Sequence, residues 1–288
     1  MKSKLFFAVA ALCCVSCESF LETELVPADG STEVFSATVE VAPITRTTLS
    51  GHLNSDGSHS LYWVAGDQIS ISDGTKTALF TTEDDYSTTA EFVCTSGKIS
   101  NTAGDYVAFY PSFLNSTNMV LPADQNYVDS NVENFPMMAV STDKNLAFKN
   151  LCGIVRFSLK SEVTDQIQVS SISLSADMGM SGPFTVGADG AAMVKGTDGV
   201  VLKCAEPVSL YTTSATDFNL IVPQGDYMPL RVKICDSEGK EVNLVSEGTI
   251  SVRRSEITCI SLTLAKSTFD TSLETIPIRN ADVDFSER

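Results

Sequence analysis

"GIVRFSLK", residues 153–160, decides the fold class. Val155, Phe157 and Leu159 alternate with Arg156, Ser158 and Lys160. A period of two belongs to a strand, because successive side chains leave an extended backbone on opposite faces. One face is expected to meet a core and the other to meet water.

The same alternation spreads in both directions along the chain. In "SLYWVAGDQISISDG" (60–74), Leu61, Trp63, Ile69 and Ile71 project to one side around a Gly66–Asp67 turn. Near the N-terminus Phe35, Ala37, Val39 and Val41 oppose Ser36, Thr38 and Glu40. Further copies stand at "DYVAFYP" (105–111), "VSSISLS" (169–175), "DFNLIVP" (217–223) and "ITCISLTLA" (257–265). "LRVKICDSEGKEVNLV" (230–245) reads as a hairpin, with Asp236–Gly239 as its turn. No segment after residue 16 keeps an apolar period of 3.6 over three turns. Short strands between turn residues, without intervening helices, predict all-β antiparallel sandwiches.

About 230 residues of such strands exceed one small sandwich and predict two in tandem. The polar stretch "PADQNYVDSNVENFPMMAVSTDKN" (122–145) separates them, dividing the chain at Ser141 into an N-terminal sandwich, 33–141, and a C-terminal one, 142–266. A tail, 267–288, follows.

The first 16 residues read as an export signal, with Lys2 and Lys4 ahead of a Leu5–Val15 apolar run too short to span a bilayer. "CVSC" (14–17), with small Ser16 before Cys17, resembles a bacterial lipobox, in which Cys17 is lipidated and becomes the new N-terminus. An ordinary secretory signal cut nearby is the alternative. Residues 17–32 are acidic, then contain Pro, Gly and Ser, and suit a tether between a lipid and a folded body.

With 36 acidic against 19 basic residues, the net charge of −17 leaves no electrostatic footprint for nucleic acid. Five cysteines lie beyond Cys17, namely Cys94, Cys152, Cys204, Cys235 and Cys259, and an odd number does not make a disulfide framework. If the strands of Cys235 and Cys259 are neighbours, a cross-strand bond between them is open; otherwise the thiols stand alone. His52 and His59, with Asp56, occupy a Gly- and Ser-rich loop without the spacing of a metal site. Glu83–Asp84–Asp85 lacks the interleaved oxygens of a calcium loop and reads as a solvated turn. No nucleophile, base and orienter can be assembled, so no enzyme, cofactor or metal is expected.

Seven stretches in order, "TRTTLSG" (45–51), "YWVAGDQISISDG" (62–74), "YVAFYPS" (106–112), "LPADQ" (121–125), "PMMAVSTDKNLAFKNLCGIVRFSLK" (136–160), "SISLSADMGMSGPFTV" (171–186) and "FNLIVPQGDYMPLRVKICDSEGKEV" (218–242), resemble the fimbrillin-like proteins of Bacteroidales-type (type V) pili. The resemblance spans Val34 to Leu264. It implies an outer-membrane lipoprotein at the cell surface or in a fimbrium, built from two transthyretin-like β-sandwiches. It also implies assembly with other pilus subunits by strand exchange, after an arginine-specific protease removes an N-terminal strand and a neighbour's terminal strand fills the groove. The removable strand would carry Phe35, Ala37, Val39 and Val41. Arg46 stands at the matching cleavage position, so a processed chain would begin at Thr47; in an anchoring or uncleaved relative Arg46 would be a plain surface residue. The candidate donor is the tail, with Phe269, Thr271 and Leu273 alternating and Ile276 and Ile278 flanking Pro277, a proline that suits an edge position or a bend. A disordered acidic tail is the competing reading.

The leading expectation is therefore a structural subunit or accessory protein (stalk, tip or anchor) of an adhesive pilus. The second is a glycan-binding surface lipoprotein that does not polymerise. Its aromatic platform would have to come from Trp63, Tyr106, Tyr110 and Phe113, of which Trp63 stands in phase with core residues.

Overall fold

The computed structural model describes residues 33–40, 61–100, 105–129, 131–163, 167–270 and 275–284, all within one unit, Thr32–Arg288. In chain order the first ten strands are β1 (Val34–Thr38), β2 (Gln68–Ser72), β3 (Thr77–Thr81), β4 (Thr89–Ser96), β5 (Tyr106–Tyr110), β6 (Val120–Leu121), β7 (Asp124–Asn126), β8 (Met137–Ser141), β9 (Asn145–Ala147) and β10 (Lys149–Asn150). Next come β11 (Cys152–Ser161), β12 (Gln168–Ser175), β13 (Gly182–Val186), β14 (Ala192–Val194), β15 (Val200–Ser209), β16 (Thr216–Pro223) and β17 (Gly225–Tyr227). The chain closes with β18 (Arg231–Asp236), β19 (Glu241–Ser246), β20 (Ile250–Val252), β21 (Ile257–Leu264), the short helix α1 (Lys266–Asp270), β22 (Thr275–Ile278) and β23 (Val283–Asp284).

The protein is all-β, as its alternating runs require. Eight strands form the first sheet in the order β10-β8-β5-β2-β3-β4-β1-β9. Its two edge strands, β9 and β10, are joined in sequence through Phe148 alone. Inside lies a core that includes Phe35, Trp63, Phe80, Phe92 and Phe148, every one at most 1% exposed. A four-stranded sheet, β16-β11-β21-β23, and a six-stranded one, β22-β19-β18-β12-β15-β7, bury a second core with Phe157, Phe218, Tyr227 and Phe269. Pairings are mostly antiparallel; β1–β9, β11–β21, β15–β7 and β19–β22 are parallel.

β11, the strand of "GIVRFSLK", serves both cores. Val155, Phe157 and Leu159 enter the second, while Cys152 and Ile154 on the opposite face enter the first. The expectation that its polar face meets water therefore fails at Arg156, which is 7% exposed. The strand is central, between β16 and β21, and the Arg156 Nε–H donates to Asn219 Oδ1 at 2.9 Å. A buried charge persists only when its donors are satisfied. Gly153 answers to a different constraint, since a Cβ there would lie 2.3 Å from the carbonyl oxygen of Arg253.

The polar stretch 122–145 is not bare linker. β7 within it pairs with β15 of the six-stranded sheet, and β8 with β5 of the eight-stranded one. The 236–239 turn forms as read: Gly239 takes φ +78, and Asp236 Oδ1 accepts the N–H groups of Glu238 and Lys240 at 2.9 and 2.8 Å. The cross-strand disulfide does not form. Cys235 on β18 and Cys259 on β21 lie in different sheets, and none of the five cysteines among the described residues is in a disulfide.

Candidate functional site

β1 lies inside the eight-stranded sheet. It pairs antiparallel with β4 from Val34↔Val93 to Thr38↔Thr89, and parallel with β9 from Ser36↔Asn145 to Thr38↔Ala147. Further bonds tie it at both ends: Ser36 N–H to the Lys144 carbonyl at 2.9 Å, Val39 N–H to that of Thr88 at 3.0 Å, and Phe148 N–H to that of Thr38 at 2.8 Å.

Period two places Phe35, Ala37 and Val39 inward, at 0, 0 and 5% exposure. The Phe35 ring meets Phe80 and Tyr106 edge to face, with centroids 5.1 and 5.0 Å apart. Trp63 Nε1–H donates to the Ala37 carbonyl at 3.1 Å, and its indole stacks edge on against Phe92, Tyr110 and Phe148. Withdrawal of β1 would strip the facing backbone groups of β4 and β9 of their partners and bare the aromatic floor beneath. Burial of the Phe35 and Val39 side chains contributes on the order of 1.5–3 kcal/mol each, so the vacated seat has a strong tendency to recruit another strand.

Just past β1, Glu40 closes a clasp that local sequence reading missed. Arg254 meets it at two points, Nη1 to Oε2 at 2.5 Å and Nη2 to Oε1 at 3.0 Å. Glu40 Oε2 also accepts the Asn150 N–H at 3.0 Å and the Ser255 hydroxyl at 3.2 Å. Burial pushes the Glu40 carboxyl up, but the hydrogen bonds from Arg254, Asn150 and Ser255 and the Arg254 charge outweigh it and hold it below the usual range. Arg254 stands in the turn between β20 and β21, where Ser255 takes a left-handed φ of 64 and Gly153 leaves the space the turn needs. Alternation puts Glu40 on the water-facing side of its strand, and its partner lies 214 positions away. No local pattern announces such a pair.

The tail is folded onto its own chain. Phe269 lies on α1 and is 2% exposed in the second core. From the end of β21 one helical turn is enough for its ring to reach that core. β22 pairs parallel to β19 at the edge of the six-stranded sheet, burying Ile278 and half-burying Ile276, with Pro277 exposed as an edge position demands. β23 pairs with β21, so the tail supplies an edge strand to each of the two sheets around the second core.

Cys17, Val41, Arg46, Thr47, His52, His59, Thr271 and Leu273 lie outside the described residues. Asp84 and Asp85 accept the N–H groups of Glu91 and Ala65, as turn residues do. Of the four aromatics considered for a platform, Trp63, Tyr106 and Tyr110 are buried and Phe113 is 44% exposed.

No family model matches the chain. No curated protein matches it either. Among solved structures, a candidate cell adhesion protein from Bacteroides ovatus superimposes with a TM-score of 0.51 at 11% identity, covering 81% of this chain and 92% of that one. A candidate cell adhesion protein from Bacteroides uniformis gives 0.48 at 17% identity, covering 84 and 96%. The tip fimbrial protein Mfa3 from Porphyromonas gingivalis, truncated at its C-terminus, gives 0.33 at 8% identity, covering 81 and 95%. The first of these likenesses establishes a shared fold.

Proposed function

We propose that this chain is a structural, non-catalytic subunit or accessory protein of an adhesive pilus, carried to the cell surface as an outer-membrane lipoprotein through Cys17 and assembled by strand exchange. The observation that carries the reading is the seat of β1. A strand with three core residues lies between β4 and β9, and the residues that follow it include Arg46. Cleavage there by an arginine-specific protease would leave β1 held by non-covalent contacts alone. Its departure would open a groove with two unpaired backbone edges and an aromatic floor, which another subunit's strand can fill. The fold shared with the Bacteroides ovatus protein, itself described as a candidate cell adhesion protein, supports a surface adhesive role.

The test is to incubate purified chain with an arginine-specific protease and follow both its N-terminus and its size. Cleavage after Arg46, release of the β1 fragment and growth of polymer are expected. A chain cut after Arg46 that stays monomeric at high concentration would overturn the reading.

A further inference from the structure

We infer that Arg254 fixes the register of the incoming strand, and that the carboxylate it receives is Glu274 of a second copy of this chain. The inference rests on the strand-exchange reading and specifies which segment enters and how it is aligned.

Two observations meet here. The first is the clasp: when β1 leaves, Glu40 leaves with it, and Arg254 keeps only the Asn150 carbonyl at 3.0 Å and the Ser255 hydroxyl at 3.2 Å as Nη1 partners. With Glu40 in place its side chain is 20% exposed; with Glu40 gone the guanidinium loses its two-point carboxylate partner at the end of the groove and keeps the Asp189 charge only at longer range.

The second is in the sequence. The β1 segment reads Phe35-Ser36-Ala37-Thr38-Val39-Glu40, and the tail contains Phe269-Asp270-Thr271-Ser272-Leu273-Glu274. Each begins with Phe and ends with Glu, with Ser or Thr fourth and Val or Leu fifth. No other phenylalanine of the chain is followed by this pattern.

Laid in the same direction, antiparallel to β4 and parallel to β9, the tail segment brings Phe269 to the place of Phe35 between Phe80 and Tyr106. Thr271 then takes the place of Ala37, Leu273 that of Val39, and Glu274 that of Glu40 against Arg254. A two-residue slip would preserve the inward and outward faces but carry the carboxylate about 7 Å from the guanidinium and remove Phe from its site. Apolar alternation alone allows such slips; one charge at the groove's end does not. Phe269 is buried in its own second core, so donation moves one buried phenylalanine to another buried site. The net gain comes from pairing the vacated edges and the exposed charge.

The experiment compares polymer growth of the protease-cut full chain in four forms: wild type, Glu274→Arg, the double variant Arg254→Glu with Glu274→Arg, and Glu206→Arg as a control for net charge at an exposed site. Glu274→Arg should slow growth about tenfold or more, with the Tm of each uncut monomer measured alongside so that growth is compared between folded chains. The double variant should recover growth, and Glu206→Arg should match wild type. Growth of Glu274→Arg at the wild-type rate overturns the register assignment while leaving strand exchange standing. Failure of cut wild type to polymerise removes the strand-exchange reading itself. If the double variant does not fold, the single tail variant still decides.

Discussion

Trp63 donates its indole Nε1–H to the carbonyl of Ala37 across 3.1 Å, from the middle of the first core to the backbone of the strand proposed to leave. It is the chain's only tryptophan, so its fluorescence reports on that contact without interference. After cleavage and loss of β1 the indole loses its acceptor and borders an open groove. Its emission should move to the red and return toward its starting position as a new strand binds. Emission unchanged through cleavage, fragment release and assembly would contradict the seat described here.

Phe35 should be the most costly β1 side chain to truncate. It is 0% exposed and packs edge to face on two rings. Phe35→Ala in the uncut chain is expected to cost about 3–5 kcal/mol, whereas Thr38→Ala at an exposed position of the same strand should stay within about 0.5 kcal/mol. Denaturant midpoints measure both, and a Phe35→Ala loss below about 1 kcal/mol would mean that the core tolerates an empty site.

The Glu40–Arg254 clasp gives stability a definite dependence on acid. The folded Glu40 carboxyl is held below its ordinary value of 4.5, so the unfolded chain binds the proton more readily. The contribution is complete above pH 4.5 and is lost as pH falls through the lowered folded value. Glu40→Gln should therefore cost about 2 kcal/mol near neutral pH, with the gap to wild type closing in acid. A gap that stays constant down to pH 3, or widens there, would contradict the clasp as the cause.

The thiols provide a check on the packing of both cores. Burial drives the Cys152 thiol far above its usual range, and Cys259 is 4% exposed. Cys94, Cys204 and Cys235 are partly exposed, although burial pushes Cys204 up to about 11. Alkylation of native protein followed by mass spectrometry should modify these three, slowly at Cys204, and reach Cys152 and Cys259 only on unfolding. A disulfide-linked peptide joining Cys235 to Cys259 would refute the placement of their strands in separate sheets.

Legibility in the sequence tracked the range of the interaction. Leu61, Trp63, Ile69 and Ile71 alternate around a glycine turn, and all four reach the first core as read. The 236–239 turn was equally plain, because its Asp and Gly supply a local hydrogen-bond acceptor and a left-handed φ. Arg156 was misread because alternation tells inside from outside for a strand with one covered face, whereas β11 is covered on both. The place of Phe269 in its own chain was not legible, because one turn of helix after a strand leaves no periodic trace and its position is set by the second core. Glu40 and Arg254 were invisible as a pair because only the folded sheets bring them together. In the candidate site the apolar ladder of β1 was legible, and the charge at its end was not.

Whether β1 is present in the working protein is answered directly by N-terminal sequencing of the chain recovered from surface polymer. The expected N-terminus is Thr47, with Phe35, Ala37, Val39 and Glu40 absent from the polymer. Polymer whose subunits begin at Cys17, or anywhere before Val34, with β1 retained between β4 and β9, would contradict it.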